Sequence, residues 1–300
     1  MRAIQFARYG GPDVLELVEA SEPHAADGQI RIRVHAAGVN AMDWKLRTGQ
    51  MQEMMPLSLP SGTGVDASGV VDEVGPGVRD VKTGDAVFGI GTGTFAEFAV
   101  LTSWALKPGS LSFEQAAGFP IPVETAIRIL DQVGVQPGHT LLVSGASGGV
   151  GSAVIQIAKD RGIRVIGTAG PGNQDYLTSI GATATTYGPG LVDRVRALAP
   201  DGIDAALDIA GSGVIPELVE LTGDPTKVLS IADFSAPEHG AQVSGTASEP
   251  AAALAQAARL WDTGALDIPV ERTFALAEAS SAQAVSEEGH AAGRLIVKLP

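Results

Sequence analysis

Three hundred residues, 45% of them hydrophobic, suffice for a large core and suit two domains, while 34 acidic against 20 basic residues, a net charge of −14, disfavour binding to a phosphate backbone, so no nucleic-acid partner is expected. The absence of cysteine excludes disulfides, thiolate nucleophiles and cysteine-ligated zinc, and the five histidines at 24, 35, 139, 239 and 290 include no i, i+4 pair, so no metal is expected. No apolar stretch reaches the ~20 residues that cross a bilayer, and Met1-Arg-Ala-Ile-Gln5 lacks the apolar core of a secretion signal, so a cytoplasmic protein without membrane contact is expected.

The first 120 residues read as β-rich. Strands are predicted at Arg2–Phe6, Gln29–His35, Ser68–Val74, Ala86–Gly89 and Ala96–Val100, several of them alternating apolar and polar residues. Turn signals at Gly10-Gly11-Pro12, Gly75-Pro76-Gly77 and Thr83-Gly84-Asp85 separate them, and the whole predicts a compact antiparallel barrel. From about residue 122 strands and helices alternate: helix 124–134, strand 140–144, helix 148–161, strand 163–168, helix 173–181, a short strand near 183–187 and a helix near 190–199. Strands at 204–209 and 227–232 and a helix at 250–263 follow, an order that argues for a parallel, doubly wound sheet in an α/β protein. After Gly264 comes Ala265–Phe274, a helix-like segment at 277–288 and a final strand Arg294–Leu299. The C-terminus is expected to return to the first domain, giving one domain of 1–121 with 264–300 and a second of 122–263.

The run Thr140–Ser152 carries the most information. The apolar strand Leu141-Leu142-Val143 leads to Gly145, and Ala146, Gly148 and Gly151 fall in the A-x-G-x-x-G register of a dinucleotide-binding turn. Free N–H groups at the start of the following helix would face a pyrophosphate. The other reading is an ordinary strand-to-helix turn. Val150, Val154, Ile157 and Ala158 recur at helical spacing, and the strand at 163–168 completes a βαβ unit. About 20 residues after the loop, an NAD site places an Asp or Glu on the ribose. Here Gly167-Thr-Ala-Gly-Pro-Gly172 offers none, which removes a repulsion against a 2′-phosphate and favours NADPH over NADH. Ligands of such sheets lie outside the carboxyl ends of the strands and at domain interfaces, so a cleft between the two domains is the expected site. By the same rule Ile209-Ala-Gly-Ser212 and Ser230-Ile-Ala-Asp233, with Ala210, Gly211, Ile231 and Ala232, should border the nicotinamide.

Five segments in order carry a family resemblance: Ala36–Gly49, Gly64–Val71 with Val74–Gly77, Gly84–Gly89, Ser144–Gly151 and Gly289–Leu295. Over nearly the whole chain they resemble the zinc-independent quinone oxidoreductase branch of the medium-chain dehydrogenase/reductase superfamily, the zeta-crystallin-like reductases. That resemblance implies a Rossmann domain plus a GroES-like antiparallel β-barrel catalytic domain, NADPH as cofactor, and hydride transfer to quinones or to the C=C bond of α,β-unsaturated carbonyl compounds. Zinc-dependent relatives place a cysteine where this chain has Asn40, and a His-Glu where it has Val65-Asp66.

The resemblance also implies site residues. Ala146, Ser147, Gly148, Gly149 and Val150 would hold the cofactor's phosphates, with Thr125 a further cofactor contact. Thr168, Ala169, Asn173 and Tyr187 would hold the adenosine end, although Tyr187 equally suits strand-end packing and the lysine often found after the second strand is absent. Arg294 matches a basic position near the cofactor or is a C-terminal surface charge. Asn40 would donate a hydrogen bond beside the nicotinamide or serve an Asx-turn; Trp44 would wall a ring substrate or fill the barrel core; Lys45 would stabilise an enolate or sit solvated on the surface. Asp43 and Asp66 match positions that fix loops rather than an acid–base couple. A small conjugated carbonyl or quinone is the expected partner, with a homodimer formed at a nucleotide-domain edge made by Lys227–Ile231 and 233–246. Two other functions stay open: an NADPH-binding structural or redox-sensing protein with little turnover, and an enoyl reductase of acyl or polyketide assembly, against which the acidic balance counts.

Overall fold

A computed structural model describes residues 1–245, 249–289 and 291–300; His290 and Thr246, the last residue of the expected dimer edge, lie outside them. In chain order the first elements are β1 (Arg2–Phe6), β2 (Glu16–Glu19), β3 (Ile30–Gly38), α1 (Ala41–Thr48), β4 (Ser61–Gly62), β5 (Asp66–Val74), β6 (Ala86–Thr92), β7 (Phe98–Leu106) and α2 (Phe113–Ala117). Then come α3 (Pro120–Val133), β8 (Thr140–Ser144), α4 (Gly149–Asp160), β9 (Arg164–Thr168), α5 (Gln174–Ile180), β10 (Thr183–Thr185), α6 (Leu191–Leu198), β11 (Ala205–Asp208), α7 (Ile215–Thr222), β12 (Val228–Ser230) and β13 (Gln242–Val243). The chain closes with α8 (Pro250–Asp262), β14 (Val270–Ala275), α9 (Ala279–Glu288) and β15 (Arg294–Lys298). Over the described residues these form two compact units: Met1–Ile121 with Glu249–Gly264 and Ile268–Pro300, and Pro122–Ser248 with Ala265–Asp267.

In the first unit β3 is the hub. Its alternation buries Ile30, Ile32 and Val34 and turns Arg31 and Arg33 outward. It pairs antiparallel with β5 along its length, with β7 over Ile30–Arg33, and with β15 over Ala36–Gly38. Because β5 also pairs with β6 and β6 with β7, the ring β3–β5–β6–β7 closes on itself. Register shifts in β3 at Arg31/Ile32 and Val34/Ala36 supply the bends that closure needs. Strand β14 joins β15 in parallel, so this sheet is mixed where the sequence predicted a wholly antiparallel one.

Helix α8 belongs with this unit, whereas the sequence reading placed 250–263 with the nucleotide domain. Trp261 Nε1 donates to Ser110 Oγ (2.9 Å) and its ring lies 6.0 Å from that of Phe119. The buried Leu254, Ala257 and Leu260 announce an amphipathic helix, but periodicity does not say which sheet that face covers.

In the second unit six parallel strands run β10-β9-β8-β11-β12-β13, the 3-2-1-4-5-6 order of the dinucleotide fold. Leu141–Val143, Ala205–Leu207 and Val228–Leu229 are buried, as strands covered on both faces must be. Of the expected edge made by Lys227–Ile231 and 233–246, the first part is corrected, since β12 is paired on both sides, whereas β13, within the second part, is the edge strand on that side of the sheet. Among the described residues no helix is long and apolar enough to cross a membrane.

Candidate functional site

The glycine loop of the second unit uses its glycines for different reasons. Gly145 has φ +80°, a left-handed conformation, and a Cβ there would stand 3.0 Å from Ala210 N. A Cβ on Gly151 would lie 2.5 Å from the carbonyl oxygens of both Gly145 and Ala146, so glycine lets α4 close on the turn. Gly148, the N-cap of α4, has an ordinary φ of −74°, and a Cβ there would meet nothing within 4 Å. Neither conformation nor packing requires glycine at 148; what its absent side chain keeps open is the space before the α4 N-terminus. The first-turn amides of Gly149, Val150 and Gly151 have no intrahelical acceptor and the helix dipole favours an anion there.

Beside the loop, Ala146 N–H donates to Thr168 O (3.0 Å), while Thr168 Oγ1 is buried with no protein partner. Asn173 Nδ2 donates to Ser147 Oγ (3.4 Å), bringing those two predicted residues together. The Ala169 amide is spent on Thr185 O (3.1 Å). Tyr187 is 62% exposed, which rules out strand-end packing, and its hydroxyl would lie 3.6 Å from a Cβ on Gly170. Sequence reasoning missed Arg194, whose Nη atoms donate to the carbonyls of Thr186 (3.0 Å), Tyr187 (3.4 Å), Gly188 (3.2 Å) and Pro189 (2.7 Å) and so shape the Tyr187 loop. Thr125 sits on α3 in a polar cluster: its hydroxyl accepts from Arg128 Nη2 (3.4 Å), and Arg128 pairs with Glu124 (2.8 Å). The loops after β11 and β12 also meet, since a Cβ on Gly211 (φ +66°) would lie 2.8 Å from Ala232 Cβ. Ala210, Gly211 and Ala232 thus lie with Gly145 in one row of loops at the carboxyl edge of the sheet, beside Ile231.

The first unit holds a buried polar cluster. Arg294, in the first position of β15, is 6% exposed and is not a surface charge. Its Nη2 donates to Asn40 Oδ1 (3.0 Å) and Asp66 Oδ2 (3.1 Å). Asn40 Nδ2 donates to Asp66 Oδ2 (2.9 Å), and Ile121 N–H to Asp66 Oδ1 (2.9 Å). Asn40 also caps α1, its own N–H donating to Asp43 Oδ2 (2.8 Å), while Asp43 Oδ1 is buried without a partner. Burial pushes the Asp43 carboxyl up to about 7; the Asn40 amide opposes that shift, the nearby Asp66 adds to it and Arg294 reduces it. Burial likewise lowers the Arg294 pKa, against the pull of Asp66 and Asp43.

Trp44 and Lys45 are both half-buried: Lys45 Nζ stands over the Trp44 ring, 5.6 Å from its centroid, and Trp44 Nε1 is enclosed without a partner. Arg47, another residue the sequence did not single out, is fully enclosed and ties α1 to α9 through Gln283 Oε1 (2.8 Å) and Glu287 Oε2 (2.7 Å). The two units therefore hold the predicted residues as separate sets: the phosphate and loop residues in one, Asn40, Trp44, Lys45 and Arg294 in the other. Among the described residues no group of three or more His, Cys, Asp or Glu side chains is placed to hold a metal ion.

Comparison with known proteins places this geometry among relatives. The alcohol dehydrogenase GroES-like domain matches residues 26–109 and the zinc-binding dehydrogenase family matches 181–297. The quinone oxidoreductase of Sus scrofa is 42% identical over 176 residues, 57% of this chain and 53% of that protein, so the match spans about half of that relative's length. The solved quinone oxidoreductase of Coxiella burnetii superposes with a TM-score of 0.88 at 32% identity, covering 100% of this chain and 99% of that one. A mycobacterial protein solved in complex with NADPH gives a TM-score of 0.86 at 26% identity, covering 99% and 100%.

Proposed function

The chain belongs to the zinc-independent quinone oxidoreductase branch of the medium-chain dehydrogenase/reductase superfamily, and on that premise we propose that it is an NADPH-dependent reductase of quinones or of the C=C bond of α,β-unsaturated carbonyl compounds. The observation that carries the reading is the open cradle at Gly148, with unpaired helix amides on one side and the orphaned Thr168 hydroxyl nearby, a donor set suited to a phosphorylated nucleotide. When bound, NADPH supplies a hydride from its nicotinamide. Gly149 and Val150 amides hold the pyrophosphate, with Ala146 and Ser147 shaping the turn. Thr168, Asn173 and Tyr187 hold the adenosine end, where no carboxylate from 167 to 173 repels a 2′-phosphate. Both acceptor classes are conjugated and electron-poor, so one arrangement serves both: negative charge grows on an oxygen as hydride arrives. In this reading the Lys45 ammonium answers that charge and the Trp44 ring flanks the acceptor.

The test is steady-state NADPH oxidation by the pure protein with a para-quinone and, separately, an alkenone, NADH serving as control. Turnover with either acceptor and a preference for NADPH are expected; failure with both, or preference for NADH, overturns the corresponding part of the reading. A Gly148→Val variant should keep its thermal transition, because the site has room and an ordinary φ, yet bind NADPH at least about tenfold more weakly, a loss of ~1.4 kcal/mol. Fluorescence titration checks it, and unchanged affinity would remove Gly148 from the cofactor site. One observation favours a second reading, NADPH binding without turnover: Asn40 is buried at 5% exposure, with one Nδ2 proton given to Asp66 and Oδ1 accepting from Arg294, so its amide is committed to the cluster. That reading predicts tight NADPH binding with no oxidation by either acceptor.

A further inference from the structure

We propose that Asp208 and Ser230 are a positioning pair that fixes the two loops on which the nicotinamide end of the cofactor rests, and so sets affinity for that half alone. The proposal rests on the NADPH reading above and adds to it Asp208, which the sequence reading did not single out, and a specific role for Ser230, the first residue of the predicted Ser230–Asp233 segment. Asp208 and Ser230 are the last residues of β11 and β12, sit opposite each other in register, and are fully enclosed. Asp208 is also opposite Ser144, the end of β8, where the strand order reverses and ligands of such sheets bind.

Donor–acceptor accounting shows what the pair does. Ser230 Oγ accepts from Ala232 N–H (3.1 Å) and Asp233 N–H (2.9 Å), so its two lone pairs are taken and its proton points to Asp208 Oδ2 (2.8 Å). Asp208 Oδ1 accepts from Gly211 N–H (3.0 Å). Both carboxyl oxygens are therefore acceptors, and one serine joins the amides of the 231–233 loop to a carboxylate that holds the 209–212 loop. Asp208 has no Lys, Arg or His in ion-pair distance among the described residues, so its enclosure is compensated by these loop hydrogen bonds. The loops are pressed together at Gly211 and Ala232, and Ala210 reaches Gly145 of the phosphate loop. Loosening the pair must displace the row beyond the strand ends, while Thr168, Asn173 and Tyr187 lie on and after β9 and β10, two and three strands away from β11.

The experiment compares two ligands on the whole protein: NADPH, and 2′,5′-ADP, which carries only the adenosine half. Wild type, Asp208→Asn and Ser230→Ala are titrated by calorimetry, with circular dichroism and thermal melting as the folding control. The expected result is that both variants lose at least about tenfold in NADPH affinity, as the loss of buried hydrogen bonds implies, with 2′,5′-ADP affinity changed less than about twofold. Equal losses for both ligands would show a merely structural pair and overturn the proposal, as would unchanged NADPH affinity in both variants. Should one variant fail to fold, the other decides. If the wild type binds neither ligand, the NADPH reading itself falls and this proposal with it, an outcome distinct from the variant results.

Discussion

Replacing Asp66 by alanine is expected to destabilise the first unit by about 3–5 kcal/mol, the usual cost of leaving one partner of a buried ion pair uncompensated. Asp66 is fully enclosed, and its two oxygens accept from Arg294 Nη2, Asn40 Nδ2 and the Ile121 amide. Alanine takes the Asp66 acceptor from Asn40 Nδ2 and the Ile121 amide and leaves Arg294 with only the neutral Asn40 Oδ1, while burial already disfavours its charged form. The companion variant separates the ion pair from simple packing. Asp66→Leu with Arg294→Met removes both charges and should recover most of the loss, because a buried pair exchanged for apolar groups of similar volume is often neutral. Urea titration followed by tryptophan fluorescence reads the right unit, since Trp44, Trp104 and Trp261 all belong to it. A single variant within about 1 kcal/mol of wild type, or a double variant no better than the single, would show that the cluster is not the stabilising contact described here.

The same cluster marks where sequence reading stops. Alternating strands and helices from 122 onward, with a glycine loop after Leu141–Val143, specify the doubly wound sheet because these signals are local: apolar strands covered on two faces, and a turn in which Gly151 answers to the carbonyl oxygens of Gly145 and Ala146 just before it. Helix α1 escaped notice because Asp43, Lys45 and Arg47 interrupt its apolar pattern, although Asn40 three residues before Asp43 and the left-handed Gly49 are its start and stop signals. Likewise α7, entered through Pro216 and stopped by Gly223, was legible in its caps. Arg294 could not be read as buried. A lone arginine opening a terminal strand looks solvated, and the partners that enclose it are 254 and 228 residues away in the chain. Arg47 and Gln283 meet across 236 residues for the same reason. Periodicity tells which side of an element is apolar; it carries no information on which distant polar group will satisfy a buried charge.

Stability should fall as pH rises toward neutrality through Asp43, and Asp43→Asn should abolish that slope. The carboxyl titrates near 7 in the folded chain against 3.8 when exposed, with burial the main cause, so between those values the folded state holds a proton that the unfolded state has released. Its contribution is fully present below 3.8 and is lost as pH climbs through about 7, a total of about 4 kcal/mol for a shift of some three units. Asp66 and Arg294 pull in opposite directions, and the Asn40 amide, bonded to Oδ2, favours the ionised form; none outweighs the burial of Oδ1, which has no donor once charged. Asparagine preserves an oxygen for the Asn40 N–H and so keeps the cap of α1. Urea midpoints measured from pH 5 to 8 should diverge, wild type losing about 2–3 kcal/mol relative to Asp43→Asn across that interval. Parallel profiles would mean that Asp43 is ionised throughout and that a donor reaches Oδ1. Because Asp43 fixes the backbone of Asn40, and Asn40 bonds both Asp66 and Arg294, its ionisation near neutrality would load the whole cluster with a second negative charge against one arginine. The midpoint of that profile therefore measures how strongly the fold opposes charge at the base of α1, the helix that carries Trp44 and Lys45.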